Sequence, residues 1–334
     1  MPACAAGPLT SHVDSRPVTP EKLRTRSVAN LLRMGHCAPT VMQTVLDVLE
    51  TDAPWLVRLT AGLPGGIGNS GNECGGITAP LVLLGVRHAH DPTVAGVPAV
   101  VYKAHALVQA FEARHGTTSC RDILGDARVP LRCIGVVRRA PERYFDARSR
   151  ACTEAISGER QEAYARLYAH LQEKGFHCAH AVIRHFASPG AADQELLDAT
   201  SAFICGTALA GMTCSALTAG VMLIGLELGE IEDSRLRVLR MIATMAVGGD
   251  AFADSLNAFN RAMNIGHELA QGFAAAHGST QCRVVTGCDF STLAGVQQYI
   301  ERDCVTRCGE IAREVGLHVR AMVERRRRDP RGAR

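Results

Sequence analysis

Apolar residues recur at helical spacing along most of this chain. Within residues 38–50 they include Val41, Val45 and Leu49, which share one face of a helix. The same spacing recurs in residues 102–115, 161–174 and 291–325. The sustained alternation of apolar and polar residues that is typical of strands does not appear. The pattern therefore predicts an all-α protein.

The chain also contains its own pattern twice. The tripeptide His-Cys-Ala at residues 36–38 returns at 177–179, residues 63–85 align without a gap to 203–225, and residues 113–121 return as 275–283. An internal repeat indicates a duplicated structural unit, so we predict two similar helical-bundle repeats packed as a pseudo-dimer. The predicted parts are a disordered leader at residues 1–24, a first Cys-rich helical repeat at 25–150, a second at 151–323 and a basic tail at 324–334.

Composition narrows the classes of function. Of the 334 residues, 47% are hydrophobic, and the net charge of +3 is too small to indicate a nucleic-acid partner. Residues 199–226 carry no charge and are long enough to span a bilayer. However, the aligned segment of the first repeat contains Asn69, Asn72 and Glu73, so we interpret both segments as buried core and predict no membrane partner. Thirteen cysteines without a signal peptide indicate a reducing compartment, hence a cytoplasmic protein.

The cysteines that recur point to chemistry. The first repeat offers Cys37, Cys74, Cys120 and Cys133, and the second offers Cys178, Cys214, Cys282 and then either Cys304 or Cys308. Four thiolates around one point suit an iron–sulfur cluster or zinc, whereas two close together suit thiol–disulfide exchange. A single cysteine is more often a small buried apolar residue, but recurrence at matched positions favours a site.

Other candidates are weaker. Cys205, which replaces Gly65 in the repeat, and Cys288 are interpreted as incidental. His36 and His177 directly precede the first cysteine of each repeat. A histidine there either binds metal, lowers the pKa of the thiol, or has a purely structural role.

This arrangement resembles a known family. The family's signature is one cysteine, then C-[GC]-A-x-x-G, then two separate downstream cysteines, and its members are described as redox-active. They are related to the cluster-binding part of split-Soret cytochromes. The central element reads Cys74-Gly75-Gly76-Ile77-Thr78-Ala79 in the first repeat and Cys214-Ser215-Ala216-Leu217-Thr218-Ala219 in the second. Where this sequence departs from the signature, one small residue replaces another, such as Gly76 in place of the signature alanine. The resemblance implies redox or iron–sulfur character and specifies no substrate.

Three functional hypotheses follow. The leading one is a redox-active protein whose Cys quartets bind an iron–sulfur cluster or cycle between dithiol and disulfide, serving an unidentified redox partner protein. In the dithiol version Cys74 and Cys214 are the predicted nucleophiles, because a following helix N-terminus lowers a thiol pKa. The alternative is a zinc-stabilised structural or interaction protein without redox chemistry. The third is a protein whose second repeat has lost its site. The sequence leaves open whether the chain is an enzyme and whether it forms a homo-oligomer.

Overall fold

The computed structural model is built almost entirely of helices. It describes residues 18–125, 131–150, 156–187, 193–230, 235–248 and 260–328. In the first half the helices are α1 (Pro20–Met34), α2 (Cys37–Val48), α3 (Pro54–Leu59), α4 (Gly75–His88), α5 (Ala99–His115), α6 (Cys120–Leu124) and α7 (Leu131–Ser149). A short antiparallel hairpin, β1 (Thr93–Val94) and β2 (Val97–Pro98), precedes α5.

The second half repeats this order. Its helices are α8 (Glu159–Glu173), α9 (Cys178–Phe186), α10 (Gln194–Thr200), α11 (Ser215–Leu228), α12 (Arg235–Gly248), α13 (Arg261–His277), α14 (Cys282–Thr286), α15 (Leu293–Glu301) and α16 (Cys304–Arg328). By alignment α2, α3, α4, α5 and α6 correspond to α9, α10, α11, α13 and α14. The predicted all-α fold with two similar halves is therefore confirmed.

Local sequence signals set several helix ends. Helix α5 ends at Gly116, whose φ of 75° lies in the left-handed region and whose N–H donates to the carbonyl of Glu112. The equivalent helix α13 ends in the same way at Gly278, with φ 78°. Glycine adopts this conformation without the steric cost that a side chain adds. The helix predicted over residues 102–115 is thus present and begins three residues earlier, at Ala99.

The end of the chain differs from the single helix predicted over residues 291–325. The structure breaks it at Asp303, whose φ is 47°, so that α15 ends at Glu301 and α16 begins at Cys304. The side chain of Asp303 accepts a hydrogen bond from Thr306 Oγ1 at 2.7 Å, which stabilises the new helix start. Cys304 and Cys308 therefore lie together on α16 and not on one continuous helix with residues 293–301.

The predicted leader and tail overlap regular structure. Helix α1 begins at Pro20, inside the predicted leader, and residues 1–17 lie outside the described residues. Helix α16 continues to Arg328, inside the predicted basic tail, where Arg326 pairs with Glu268 at 3.0 Å and Arg327 pairs with Glu227. Residues 329–334 lie outside the described part of the chain.

The two halves pack on each other through reciprocal contacts. Helix α4 of the first half packs on α10 of the second, and α11 of the second packs on α3 of the first. A Cβ atom on Gly85 would lie 2.5 Å from the carbonyl oxygen of Asp198, and one on Gly225 would lie 2.7 Å from that of Arg58. These glycines hold equivalent places in the repeat. Such reciprocal contacts are typical of a two-fold symmetric dimer, and here they form within one chain.

A buried carboxyl group adds a polar link between the halves. Glu73 is 3% exposed, and its Oε1 accepts the backbone N–H of Thr213 at 2.9 Å. Burial raises the pKa of Glu73, while the hydrogen bond from Thr213 opposes that effect. Because Glu73 directly precedes Cys74 and Thr213 directly precedes Cys214, this link joins the two cysteine-bearing segments.

Residues 215–228, which overlap the uncharged segment, form the buried helix α11. Among the described helices, none combines the length and apolar character needed to cross a membrane.

Candidate functional site

Backbone pairing fixes two cysteines of each half side by side. In the first half the N–H of Cys74 donates to the carbonyl of Thr118 at 3.0 Å, and the N–H of Cys120 donates to that of Asn72 at 2.6 Å. These bonds flank an isolated antiparallel bridge between Glu73 and Ser119. The loop before α4 is thereby tied to the start of α6.

The second half repeats this pairing. The N–H of Cys214 donates to the carbonyl of Thr280 at 2.8 Å, and the N–H of Cys282 donates to that of Met212 at 2.7 Å. Here too an isolated bridge, between Thr213 and Gln281, lies between the two bonds. The same sequence signal has therefore produced the same local geometry twice.

Glycine allows the loop to approach the third cysteine closely. A Cβ atom on Gly66 would lie 2.8 Å from Cβ of Cys120, and one on Gly206 would lie 2.6 Å from Cβ of Cys282. Both glycines also have positive φ, 79° and 70°. A larger residue at either position would collide with the cysteine and strain the backbone, so the glycine-rich loop shapes one wall of each site.

Cys37 and Cys74 adjoin each other in the first half. Cys37 is the first residue of α2, and a Cβ atom on Gly75 would lie 2.4 Å from its sulfur. Cys74 is the N-cap of α4, and its sulfur accepts the N–H of Gly76 at 3.4 Å. Both sulfurs thus lie against the backbone at the start of α4, where N–H groups are free to bond them.

Four cysteines of the first half lie near enough to influence one another's ionisation. The first cysteine group consists of Cys37, Cys74, Cys120 and Cys133. Burial raises the pKa of Cys74, and the charges of Cys37 and Cys133 raise it further. Burial also raises the pKa of Cys120, and there the charges of all three other thiols add to the effect. Burial and then Cys37 raise the pKa of Cys133 to about 12. Each of the four therefore lies within electrostatic range of the others, as the predicted quartet requires.

Other contacts lower the pKa of thiols in the first cysteine group. Burial raises the pKa of Cys37, while the backbone N–H groups of Gly65, Ala38 and Gly75 lower it by donating to the sulfur. The guanidinium of Arg143 lies near enough to Cys74 to lower that thiol's pKa. Backbone donors and one cation therefore face sulfurs that carry negative charge when ionised or bound to metal.

The second half gathers five cysteines. The second cysteine group consists of Cys178, Cys205, Cys214, Cys282 and Cys308. Burial raises the pKa of Cys214 to about 12, with Cys178 as the next cause. Burial also raises the pKa of Cys282, and the charges of Cys214, Cys178 and Cys308 add to that effect. Tyr299 donates its hydroxyl to the sulfur of Cys308 at 3.6 Å.

Cys205 is the member that sequence reasoning missed. Its thiol hydrogen-bonds to Cys178, and its backbone N–H also donates to that sulfur. The hydrogen bond from the Cys205 thiol is the largest influence on Cys178 and lowers its pKa, although burial opposes the effect. The first half has Gly65 at the equivalent position, and the N–H of Gly65 points at Cys37 in the same way. This replacement of glycine in an otherwise matched loop was the signal that could have identified Cys205.

The structure separates Cys304 from Cys308. Cys308 lies with the second cysteine group, where Cys178 and Cys214 raise its pKa after burial. Cys304 instead hydrogen-bonds to Cys288, and the two form a thiol pair beside that group. Of the two predicted candidates for the fourth cysteine, Cys308 is the one that the fold brings to the other three.

Burial opposes the effect that a helix start is expected to have on the predicted nucleophiles. Cys74 and Cys214 are N-caps of α4 and α11, as predicted. Burial nevertheless raises the pKa of both thiols. Within the second cysteine group, Cys178 is the thiol whose pKa is lowered.

The histidine before Cys178 has a structural explanation. His177 is the N-cap of α9, and its ring accepts the backbone N–H of His180 at 3.4 Å. Its Nε2 also contacts the carbonyl of Ser201 at 3.2 Å, and the rings of His177 and His180 stack. Burial holds the pKa of His177 well below its ordinary value, so the ring is neutral at pH 7.

Comparison with known proteins decides the family. The family model described as "Putative redox-active protein (C_GCAxxG_C_C)" matches residues 35–159 and 176–322. The chain belongs to the C_GCAxxG_C_C family. Each matched segment of this C_GCAxxG_C_C protein contains one of the two cysteine groups, which confirms the tandem duplication. No curated protein and no solved structure matches the chain.

The number and type of possible ligands in this C_GCAxxG_C_C protein limit which metal centre it could hold. In the part of the chain that the structure describes, no three or more His, Cys, Asp or Glu side chains are grouped so as to hold a metal ion. In a Cys4 iron–sulfur cluster the thiolates surround several iron and sulfide atoms, so their sulfurs enclose a larger volume than one ion does. The first cysteine group supplies four thiols, which is the donor type and number that such a cluster uses.

The raised thiol pKa values predict alkaline sensitivity. A thiol ionises near pH 9 in the unfolded chain, whereas folding raises the pKa of Cys133 and Cys214 to about 12. The stability that the neutral thiols contribute is complete below pH 9 and is lost as the pH rises toward 12. Over this interval, ionisation of each group lowers the free energy of unfolding by about 1.4 kcal/mol per pH unit.

We expect the Tm of the reduced, metal-free C_GCAxxG_C_C protein to fall steeply between pH 9 and pH 10.5, measured by circular dichroism. The Cys214→Ser variant removes one of these groups, so its Tm should fall less steeply over the same interval. Equal slopes for the two proteins would contradict the burial of this thiol.

Proposed function

We propose that this protein transfers electrons, and that its first cysteine group holds an iron–sulfur cluster while its second cysteine group forms a separate redox centre. The observation that carries the proposal is the gathering of Cys37, Cys74, Cys120 and Cys133 around the start of α4. A bound cluster would supply one-electron redox chemistry. A separate redox partner protein would deliver or remove the electrons.

Burial supports a bound centre rather than four independent thiols. Cys74 and Cys120 are 4% and 8% exposed, and ionising either one alone in this environment is unfavourable. Iron ions compensate the negative charge of thiolates, so the same four residues become favourable once they are ligands.

The backbone of the first half supports the same proposal. The N–H of Gly76 donates to the sulfur of Cys74, and those of Gly65 and Gly75 donate toward Cys37. Hydrogen bonds to ligand sulfurs stabilise their negative charge, and they raise the reduction potential of a cluster. These residues thus position the ligands and adjust their charge. Thirteen cysteines in one chain fit the reducing conditions of the cytoplasm, where we place the protein.

The test is a visible absorption spectrum with iron, zinc and acid-labile sulfide analysis of the full chain, purified without oxygen. We expect a brown protein with iron and sulfide equivalent to one cluster per chain. Zinc without iron would favour the structural alternative, and a colourless, metal-free protein would refute a cluster in the first half. Iron equivalent to two clusters would place a cluster in the second half as well and contradict the proposed division.

A further inference from the structure

A hollow lined by arginines lies beside the first cysteine group. It has a volume of about 490 Å³ and lies between α5, α6 and α7. Its positive charges belong to Arg114, at the end of α5, and to Arg132, Arg138 and Arg139 of α7. Among the described residues that line it, Asp122 is the one acidic residue. The hollow therefore carries an excess of positive charge.

A single layer of side chains separates this hollow from the cysteines. Val136 lines the hollow, and its Cγ1 would lie 2.7 Å from a Cβ atom on Gly76. The N–H of Gly76 in turn donates to the sulfur of Cys74 at 3.4 Å. Arg132, which also lines the hollow, directly precedes Cys133 in α7. A partner that binds in the hollow would therefore lie against the wall of the proposed cluster site.

A fifth arginine, Arg143, is fixed beside the hollow. Its Nη2 lies 2.6 Å from Nε2 of His115, which is one of the lining residues. Its guanidinium lies over the ring of Phe111, 4.8 Å from the ring centroid. The ring of Phe111 also packs against that of His115, with centroids 4.6 Å apart. These contacts hold the positive charge in place before any partner binds.

The second half keeps the aromatic pair and reverses the charge. Phe273 packs against His277 with ring centroids 4.5 Å apart, as Phe111 packs against His115. The residue beside His277 is Glu314 of α16, whose Oε2 lies 3.9 Å from Nε2 of that histidine. Helix α16 packs on α9 and α11, just as α7 packs on their equivalents α2 and α4. Among the described residues that line the hollow between α13 and α16, there is no arginine or lysine.

We propose that the arginine-lined hollow is the docking site of the redox partner protein, and that this partner presents a cluster of Asp and Glu side chains. The inference rests on the proposed function and specifies the chemistry of the partner that the function requires. Arginine suits carboxylates because its planar guanidinium can bond both oxygens at once. Opposite charges also steer a partner to the correct face and speed its association. The partner therefore docks over the first cysteine group and not over the second.

The extent and lining of this surface favour a protein over other anions. Four of the five arginines lie within residues 132–143 of α7. That stretch of helix is about 16 Å long at the usual rise per residue, which exceeds the size of a phosphate ion. Among the described lining residues there is no Phe, Tyr or Trp on which a nucleic-acid base could stack. A row of carboxylates on a folded partner matches both features.

The test measures binding of a fluorescein-labelled oligoglutamate peptide to the full chain by fluorescence anisotropy at low ionic strength. We expect saturable binding that weakens at least tenfold at physiological salt, because dissolved ions screen exposed charges. The hollow variant carries Arg114→Gln, Arg132→Gln and Arg138→Gln, and it should bind the peptide at least tenfold more weakly at low ionic strength. All three side chains are exposed, so the variant should keep its fold, which circular dichroism checks.

The other basic cluster of the chain supplies the matched control. The tail variant carries Arg325→Gln, Arg327→Gln and Arg328→Gln, which removes the same charge from three exposed positions at the end of α16. Its affinity for the peptide should stay within about twofold of the unmodified chain, since exposed charges at a distance are largely screened. Equal losses from the two variants would show that the peptide responds to net charge, and would overturn the proposal.

Two competitors distinguish an acidic protein from other anions. Inorganic phosphate should displace the peptide no more than sodium chloride of the same ionic strength does. Stronger displacement by phosphate would assign the hollow to a small anion and overturn the proposal. An oligothymidylate of the same charge should bind more weakly than the peptide, and tighter binding that depends on the same arginines would overturn the proposal in favour of a nucleic acid.

Iron and sulfide measured on the same preparations separate this proposal from the proposed function. Peptide binding that depends on the hollow arginines, in a protein without iron, would refute the cluster and leave the docking site for acidic side chains standing. Iron equivalent to one cluster without such binding would overturn the docking site alone.

Discussion

Replacing Cys74 by serine is expected to reduce bound iron at least tenfold and to remove visible absorption. The substitution takes away one of four ligands of the proposed cluster, and a serine oxygen is a harder and poorer ligand for iron than a thiolate. Serine also preserves the helix start, because its oxygen can accept the N–H of Gly76 as the sulfur of Cys74 does. Loss of iron would therefore report on the site and not on unfolding.

The chain supplies a matched control for this experiment. Cys214 is the equivalent N-cap in the second half, so the Cys214→Ser variant makes the same chemical change at the same place in the repeat. We expect it to retain the iron of the unmodified protein, measured per chain beside a far-ultraviolet circular dichroism spectrum. Equal loss from the two variants, or no loss from Cys74→Ser, would contradict the assignment of the cluster to the first half.

Replacing Gly225 by alanine is expected to lower the free energy of unfolding by about 2–3 kcal/mol. The added methyl group would lie 2.7 Å from the carbonyl oxygen of Arg58 and 3.0 Å from that of Leu59, so α3 and α11 must separate. The Gly85→Ala variant should lose a similar amount, because its methyl group would meet Asp198 across the equivalent contact.

The control is the same substitution at an open position. Gly272 is an exposed residue within α13, and a Cβ atom there would have no heavy atom within 4 Å. Because alanine favours helix over glycine, Gly272→Ala should stabilise the protein by up to about 1 kcal/mol. Urea unfolding of both variants measures the difference. A Gly225→Ala protein as stable as the Gly272→Ala protein would show that the halves do not depend on this contact.

The sequence predicted those features that local signals determine. The repeat, the helix that ends at Gly116 and the three matched cysteines of each half follow from spacing, caps and alignment. The fourth cysteine of the second half did not follow, since it depends on the break at Asp303 that rotates α16 relative to α15. A left-handed turn at an aspartate between two apolar helical patterns leaves little trace in the hydrophobic spacing.

Contacts between residues far apart in the sequence were also beyond what the sequence could predict. Cys205 appeared incidental because Cys178 lies 27 positions earlier, and only the folded chain brings Cys205 near enough to lower the pKa of Cys178. Likewise Gly85 and Gly225 resemble ordinary small residues within apolar helices. Their requirement for glycine arises from the backbone of the other half, which no local pattern encodes.

The reciprocal packing of the two halves within one chain has a consequence for the proposed electron transfer. In a dimer of identical subunits every substitution occurs twice, so the two centres keep the same potential and neither is favoured as the acceptor. A single chain releases that constraint, and the difference between Gly65 and Cys205 shows that the halves have diverged beside their cysteines. Under the proposed function, unlike centres in one chain can hold unequal potentials, and an electron that enters at one then has a preferred exit at the other.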